Sequence, residues 1–482
     1  MTLLSATEIS VRHGGTTMVD PLSIDLHAGQ PLVILGETGS GKSLFAQALM
    51  GTLPDDLTAT GRIRVAGQTF DAARPDRFRS LWGRQIAVLP QEPWLSLDPL
   101  MRARTQVAQT HRLVRGLPRA QARQRAEADL AALGLQDAAD KLPHQLSGGM
   151  AQRVAVAAAR AGGAGIVIAD EPTKGLDSAM RDDVADLLMT EMARGGGLIV
   201  ITHDLALARR LGGQIMVIRK GSLVETGATR DVLTAPRADY TARLIAADPE
   251  SWPRREPAVP GAEIVRAEGL SAARGDRMLF ENLGFAIREG EVLGVTGPSG
   301  CGKSTLGDVI LGLHAQKSGR VSRGTGRATA FQKLYQDPVS AFPARQTLRR
   351  TLADVAGLHA QPPARIGDLM ERFGLPDLLL NRRPGAVSGG ELQRLSILRI
   401  LLTRPAFVFA DEPTSRLDPI TQADVIGILT QTLGAEGCAM MLVSHDTALV
   451  NRTADRVVSL AASGPDVVAV PDPISKDALQ PA

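Results

Sequence analysis

Short, purely apolar runs punctuate this chain. PLVIL at 31–35, IVIA at 166–169, LIVI at 198–201, FVFA at 407–410 and MMLV at 440–443 are each four or five residues long. Each is closed by a glycine, an acid or a hydroxyl residue, the pattern of a buried strand. Elsewhere the spacing changes. Leu306, Val309, Ile310 and Leu313 fall at i, i+3, i+4 and i+7 and predict one face of a helix. Alternating buried strands and helices predict an α/β fold with a mostly parallel sheet covered on its faces. No run approaches the ~18–20 apolar residues that cross a bilayer, so any membrane role is expected to be peripheral.

The pattern occurs twice. GETGSGKS at 36–43 returns as GPSGCGKS at 297–304, and LSGGMAQR at 146–153 returns as VSGGELQR at 387–394. IADEPT at 168–173 returns as FADEPT at 409–414, and ITHD at 201–204 as VSHD at 443–446. The order is kept, and 23 positions separate Ser147 from Asp170 just as 23 separate Ser388 from Asp411. A long-period repeat of this kind means two copies of one unit. The proline-rich, charged stretch DPESWPRREPAVPGA at 248–262 reads as a linker between them. The expected units are a first domain at 1–247, whose last part from about 232 is an extension, and a second at 263–464. The Pro- and Asp-bearing tail at 465–482 is expected to fray.

The repeated residues have a common chemistry. Gly36, Gly39 and Gly41 let backbone N–H groups close around phosphate oxygens at the start of a helix, and Gly297, Gly300 and Gly302 repeat them. Lys42 and Lys303 bring a point charge to the phosphates, and the hydroxyls of Ser43 and Ser304 suit Mg²⁺. Asp170 and Asp411 end apolar strands and suit the Mg²⁺ shell. The adjacent Glu171 and Glu412 stand at the strand tip, where a carboxylate can orient and polarise an attacking water. Gln91 and Gln336, each before a turn-like stretch (QEPWLSLDP and QDPVSAFP), can touch the metal or that water. His203 and His445 end later strands, where an imidazole can bond the γ-phosphate. One glycine turn, one pair of strand-end acids or one strand-end histidine is ordinary structure; two matched sets in matched order are not.

Composition narrows the class. The 482 residues are 44% hydrophobic but only 3% aromatic, so the cores must be aliphatic. The net charge is +3 with no basic block, so no nucleic-acid partner is expected. Two cysteines, Cys301 and Cys438, form no CxxC pair, which excludes a disulfide framework and a cysteine-held metal. Cys301, inside the second glycine loop, reads as a small filler. The first ten residues lack the charged start and long apolar run of a signal peptide.

SGG-x-x-QR placed upstream of ADEPT, after a glycine loop and before a strand-end histidine, closely resembles the ABC ATPases, twice and over nearly the whole chain. The resemblance implies two P-loop NTPase domains. Each has a mostly parallel core sheet, a small antiparallel β subdomain and a helical subdomain carrying the SGG signature. It implies ATP and Mg²⁺ as ligands, with ATP hydrolysed. It also implies that Ser147, Gly149, Ser388 and Gly390 contact nucleotide held by the opposite domain, so that Lys42 works with Ser388 and Lys303 with Ser147. Asp177 and Asp418 match the loop linking the sites. The chain departs from the family in three places. An aromatic usually stacks on adenine, but His13 and Arg274 hold those positions. Lys303 and Gln336 are 33 positions apart, against 49 for Lys42 and Gln91, so the second β subdomain is expected to be shortened. KGSLVETG at 220–227, hairpin-like, has no evident counterpart after His445.

The two glutamine loops, and the stretch APRADYTARLIAADP at 235–249 with Tyr240, Thr241, Arg243 and Leu244, resemble the peptide/nickel importer ATPases. That resemblance implies a peripheral subunit on the cytoplasmic face of the inner membrane, beneath two permease subunits and an extracytoplasmic solute-binding protein. It leaves peptide, nickel or another small solute open as cargo. The alternative is a soluble tandem ABC ATPase acting on ribosomes or DNA; an exporter ATPase is a weaker third reading.

Overall fold

The computed structural model describes residues 1–466 except 92, 174–177, 194, 258–260, 299 and 462–463. The chain divides into two units, Met1–Ile245 and Ala246–Ala482.

In the first unit the strands Thr16–His27, Thr2–His13, Leu57–Val65 and Gln68–Asp71 form an antiparallel sheet in that order. Leu4 and Ala6, then Ile9 and Val11, point into the core. The alternation slips by one residue at a bulge where Glu8 takes φ 52°. The second sheet runs Ser222–Ala228, Gln214–Arg219, Leu32–Leu35, Gly197–Thr202, Ile166–Asp170, Ile86–Leu89. All its pairings are parallel except the first, between Ser222–Ala228 and Gln214–Arg219. Its middle strands are buried along nearly their whole length because helices cover both faces, which is why they are apolar runs rather than alternating ones. Helices Ala103–Leu113, Arg119–Ala132 and Gly148–Arg160 form the helical part.

The second unit repeats the plan. Its antiparallel sheet is Arg277–Arg288, Glu263–Arg274, Ser318–Arg323, three strands where the first unit has four. The expected shortening is the loss of a counterpart to Gln68–Asp71. Its core sheet runs Phe331–Leu334, Phe407–Asp411, Ala439–Val443, Val292–Thr296, Arg456–Ala461, Gly464–Asp466. The last pair is antiparallel, so the second unit does carry a hairpin equivalent to the one at 220–227, contrary to expectation. Its sequence hid it: Gly464, Pro465 and Asp466 form the short edge strand without an apolar residue. Pro465 and Asp466 were expected to begin the frayed tail; the rest of the tail lies outside the described residues. The helix after the second glycine loop is Lys303–Leu311, stopped by Gly312 at φ 77°. Leu306, Val309 and Ile310 are buried as expected, but Leu313 lies beyond the stop and is 67% exposed.

Part of the proline-rich joining stretch belongs to the second unit. Trp252 packs on that unit's core, and the Arg255 guanidinium pairs with Asp455 at 2.7 Å.

Candidate functional site

In each unit three neighbouring parallel strands deliver the repeated residues to one sheet edge. Leu32–Leu35 and Ile166–Asp170 flank Gly197–Thr202, and at their carboxyl ends stand the glycine loop, Asp170 with Glu171, and His203. Val292–Thr296 and Phe407–Asp411 flank Ala439–Val443 in the same way. The carboxyl edge of a parallel sheet is where open α/β folds bind ligands.

The loops are tight. A Cβ on Gly36 would sit 2.2 Å from the Ile218 carbonyl oxygen, and one on Gly297 would sit 2.6 Å from that of Leu460. Gly41 at φ 97° and Gly302 at φ 107° precede the helices Lys42–Met50 and Lys303–Leu311, a backbone that a side chain would strain. Gly39 and Gly300 turn the loop between them at φ 80° and 76°. Neither helix start has a side-chain cap or an acid in its first turn, which leaves amide N–H groups facing an anion site. The Lys42 ammonium donates to the carbonyls of Gly36 at 2.7 Å and Glu37 at 2.8 Å. Lys303 donates to Gly297 at 2.7 Å and Pro298 at 3.1 Å. Both lysines are thus folded back over their own loops.

Beside each loop a hydroxyl meets a carboxylate. Ser43 Oγ donates to Asp170 Oδ1 at 3.3 Å, and Ser304 Oγ to Asp411 Oδ1 at 3.0 Å. These hard oxygens fit a small divalent cation whose other ligands are phosphate and water. Among the described residues no cluster of three or more His, Cys, Asp or Glu could hold a metal. Burial holds the Asp411 carboxyl above the ordinary carboxylate range, opposed by the Ser304 hydrogen bond and the Lys333 ammonium.

Glu171 and Glu412 adopt φ 48° and 50°, left-handed backbone at the strand tip. Their N–H groups still close on the next strand, to Ile201 O at 2.8 Å and Val443 O at 3.0 Å. For a residue with a side chain this conformation costs ~1–3 kcal/mol, and such strain concentrates at functional sites. It turns each carboxylate towards a histidine: His203 Nδ1 lies 2.9 Å from Glu171 Oε1, and His445 Nδ1 lies 2.6 Å from Glu412 Oε2. An ionised carboxylate only accepts, so in each pair the shared proton is carried on Nδ1.

Gln336 leaves the edge strand Phe331–Leu334 exposed and donates to Ser415 Oγ at 3.2 Å. Gln91 is exposed just past Ile86–Leu89. Ser147 and Ser388 are the N-caps of the helices Gly148–Arg160 and Gly389–Leu401, accepting from Met150 N at 3.3 Å and Glu391 N at 3.4 Å. Gly149 and Gly390 fall in the first turns of these helices. His13 and Arg274 both end the first strand of their antiparallel sheets, exposed, and His13 pairs with Asp56 at 3.3 Å. Asp418 caps the helix Pro419–Ala435, accepting from Thr421 N at 3.0 Å; Asp177 lies outside the described residues.

Two contacts were not anticipated. Tyr240, Thr241 and Leu244 of the helix Asp239–Ala246 are buried, and the Tyr240 hydroxyl reaches the first glycine loop. Lys333 and Asp308 form a charged pair beside Asp411. A position-by-position comparison of the two halves exposes the second, because the first half has Val88 and Gln47 there.

A glycine-loop lysine, a hydroxyl–carboxylate pair and a glutamate–histidine pair on one sheet edge, with an SGG helix cap in the same unit, define an ABC-type ATPase, present twice. The family model described as ABC transporter matches residues 19–174 and 280–415. The chain therefore belongs to the ABC transporter family, as an ATP-binding, ATP-hydrolysing protein. It is 32% identical to the peptidoglycan transport ATP-binding protein YejF of Agrobacterium fabrum, over 95% of this chain and 90% of that protein. It is 31% identical to the glutathione import ATP-binding protein GsiA of Escherichia coli K12, over 90% of this chain and 80% of that one. Among solved structures, an archaeal ribosome recycling factor in complex with ribosomal stalk protein aP1 matches at TM-score 0.66 and 22% identity, covering 92% of this chain and 84% of its own. RNase-L Inhibitor matches at 0.66 and 21%, covering 94% and 87%. At such identities these two likenesses show the fold alone.

Proposed function

We propose that the chain powers import of a peptide-bearing solute, as a peripheral ATPase on the inner face of the cell membrane. It works there beneath two permease subunits supplied with cargo by a solute-binding protein. The observation that carries the ATPase chemistry is the duplicated pairing of Ser with Asp and of Glu with His beside each glycine loop. Peptide cargo is favoured over nickel because the similar curated proteins are named for peptidoglycan transport and glutathione import. Among the described residues no helix is long and apolar enough to cross a membrane, in keeping with a peripheral place.

In this reading Lys42 and Lys303 leave their loop carbonyls for the β- and γ-phosphates. Ser43 with Asp170, and Ser304 with Asp411, hold Mg²⁺, assisted by Gln91 and Gln336. Bound magnesium supplies charge neutralisation at the phosphates. Glu171 and Glu412 orient the attacking water, and His203 and His445 present Nε2 to the γ-phosphate. Ser147 and Ser388, with Gly149 and Gly390, close each site from the opposite half. His13 and Arg274 stack on the adenines. Uptake of labelled di- and tripeptides, glutathione and nickel by a deletion strain tests the cargo. Peptide uptake lost and restored by the wild-type gene supports it; loss of nickel uptake alone overturns it. Recovery of the chain with polysomes instead of membranes favours the ribosomal alternative.

A further inference from the structure

The two halves differ at the metal side of the site. Counting from the loop lysines, Asp308 stands where the first half has Gln47. In the sheet, Val88 pairs with Ile168 while Lys333 pairs with Phe409. The second half thus has an ammonium where the first has an isopropyl group.

That ammonium is well placed. Lys333 Nζ lies 2.7 Å from Asp308 Oδ1 and 3.7 Å from Asp411 Oδ2, with its side chain 15% exposed. It also sits 5.3 Å from the centre of the Phe409 ring, which helps fix it from below. The other Asp411 oxygen takes the Ser304 hydroxyl. One oxygen of the carboxylate therefore meets a fixed cation before any metal arrives. Two consequences follow from Coulomb's law at such separations in a partly desolvated site. A divalent ion entering beside Lys333 is repelled by it, and phosphates entering without a divalent ion are still attracted to it. Asp308, at 2.7 Å the nearer carboxylate, keeps the ammonium in place when Asp411 turns to a metal.

We propose that Lys333 is a positioning residue that lets the second half bind nucleotide with little dependence on magnesium. This rests on the roles assigned to Ser304 and Asp411 above. A purely structural Lys333–Asp308 pair affects folding but leaves the magnesium dependence unmoved.

The test uses the full chain carrying Lys42→Ala, so that the first loop is silenced, and titrates N-methylanthraniloyl-ATP by fluorescence in excess Mg²⁺ and in EDTA. Chelation is expected to weaken binding less than about threefold in this parent. In Lys333→Val/Asp308→Gln, which installs the first half's residues, chelation is expected to weaken binding by about tenfold or more, with affinity in excess Mg²⁺ little changed. Equal ratios of the two affinities in parent and variant overturn the proposal. If the double variant melts early, Lys333→Arg and Lys333→Met decide: arginine keeps the low ratio and methionine raises it, and no difference between them overturns the proposal. Adding Lys303→Ala to the parent separates the underlying reading. Undiminished binding in that variant refutes the assigned loop itself, whatever the magnesium ratio.

Discussion

The Tyr240 hydroxyl accepts a hydrogen bond from the backbone N–H of Glu37 at 3.2 Å, joining the extension helix to the first glycine loop. Lys42 holds the carbonyl of the same residue, so the Glu37 peptides are pinned from both sides. Arg219 lies 4.7 Å over the phenol ring and keeps it in place. The second loop has Pro298 at this position, with no N–H to satisfy.

Removing that acceptor with Tyr240→Phe keeps the ring but leaves a loop N–H without its partner. A hydrogen bond of this kind contributes about 0.5–1.5 kcal/mol, so ATP binding at the first site should weaken by about two- to tenfold. Fluorescent-ATP titration in a Lys303→Ala background reads it; unchanged affinity means that the extension does not set the loop. Burial pushes the Tyr240 phenol up to about 12. A group raised in the folded state contributes stability that is present below its unfolded value and lost as pH rises through the folded one. The clasp should therefore hold at physiological pH and fail between about pH 10 and 12. An alkaline melting step present in wild type and absent in Tyr240→Phe checks this.

Gly307 and Phe409 make a second matched pair. A Cβ on Gly307 would lie 2.2 Å from the Phe409 ring, and that ring is fully buried. The first half has Ala46 and Ile168 at these places. Gly307→Ala gains up to ~1 kcal/mol of helix propensity but overpacks a rigid contact at ~1–3 kcal/mol, so sterics should win. The melting temperature of the second unit should fall, and Gly307→Ala/Phe409→Ile should recover it. Equal losses in single and double variants would contradict a steric origin.

Glu171 and Glu412 should separate binding from turnover. Changing both to Gln removes the carboxylate charge while leaving the side-chain shape and an acceptor for the histidine. ATP should still bind while steady-state hydrolysis falls by more than about tenfold, a barrier increase above ~1.4 kcal/mol. Hydrolysis within tenfold of wild type would remove the glutamates from the water-orienting role.

The repeat makes most of this legible in the sequence itself. Buried parallel strands declare themselves as apolar runs, so 166–169 and 407–410 fall inside the observed strands. Features resting on few side-chain signals did not show. Gly464–Asp466 pairs as an edge strand although its sequence carries no strand signal, and the helix face at 306–313 stops early because Gly312 takes the left-handed turn. The Tyr240–Glu37 bond spans 203 positions and involves a main-chain atom, which no local pattern encodes. The Lys333–Asp308 pair was visible in principle, as two uncharged residues in one half replaced by opposite charges in the other.

The coupling between halves yields the sharpest prediction. Ser147 and Ser388 cap their own helices, yet in this reading the phosphate each one serves is bound by the other half's loop. Ser147→Arg should then damage the Lys303 site, and Ser388→Arg the Lys42 site. Pairing Ser147→Arg with Lys303→Ala strikes one site twice, so the losses should be strongly non-additive. Pairing Ser147→Arg with Lys42→Ala strikes both sites and should be worse. Steady-state ATPase of the two double variants beside their singles measures the order; equal losses or the reverse order would refute crossed sites if each site turns over independently. Where one lesion silences both sites, the decision passes to photo-crosslinking of azido-ATP followed by cleavage between the units. Ser147→Arg should then reduce label on the second unit and spare the first, and label lost from the first unit instead would mean that each signature serves its own loop.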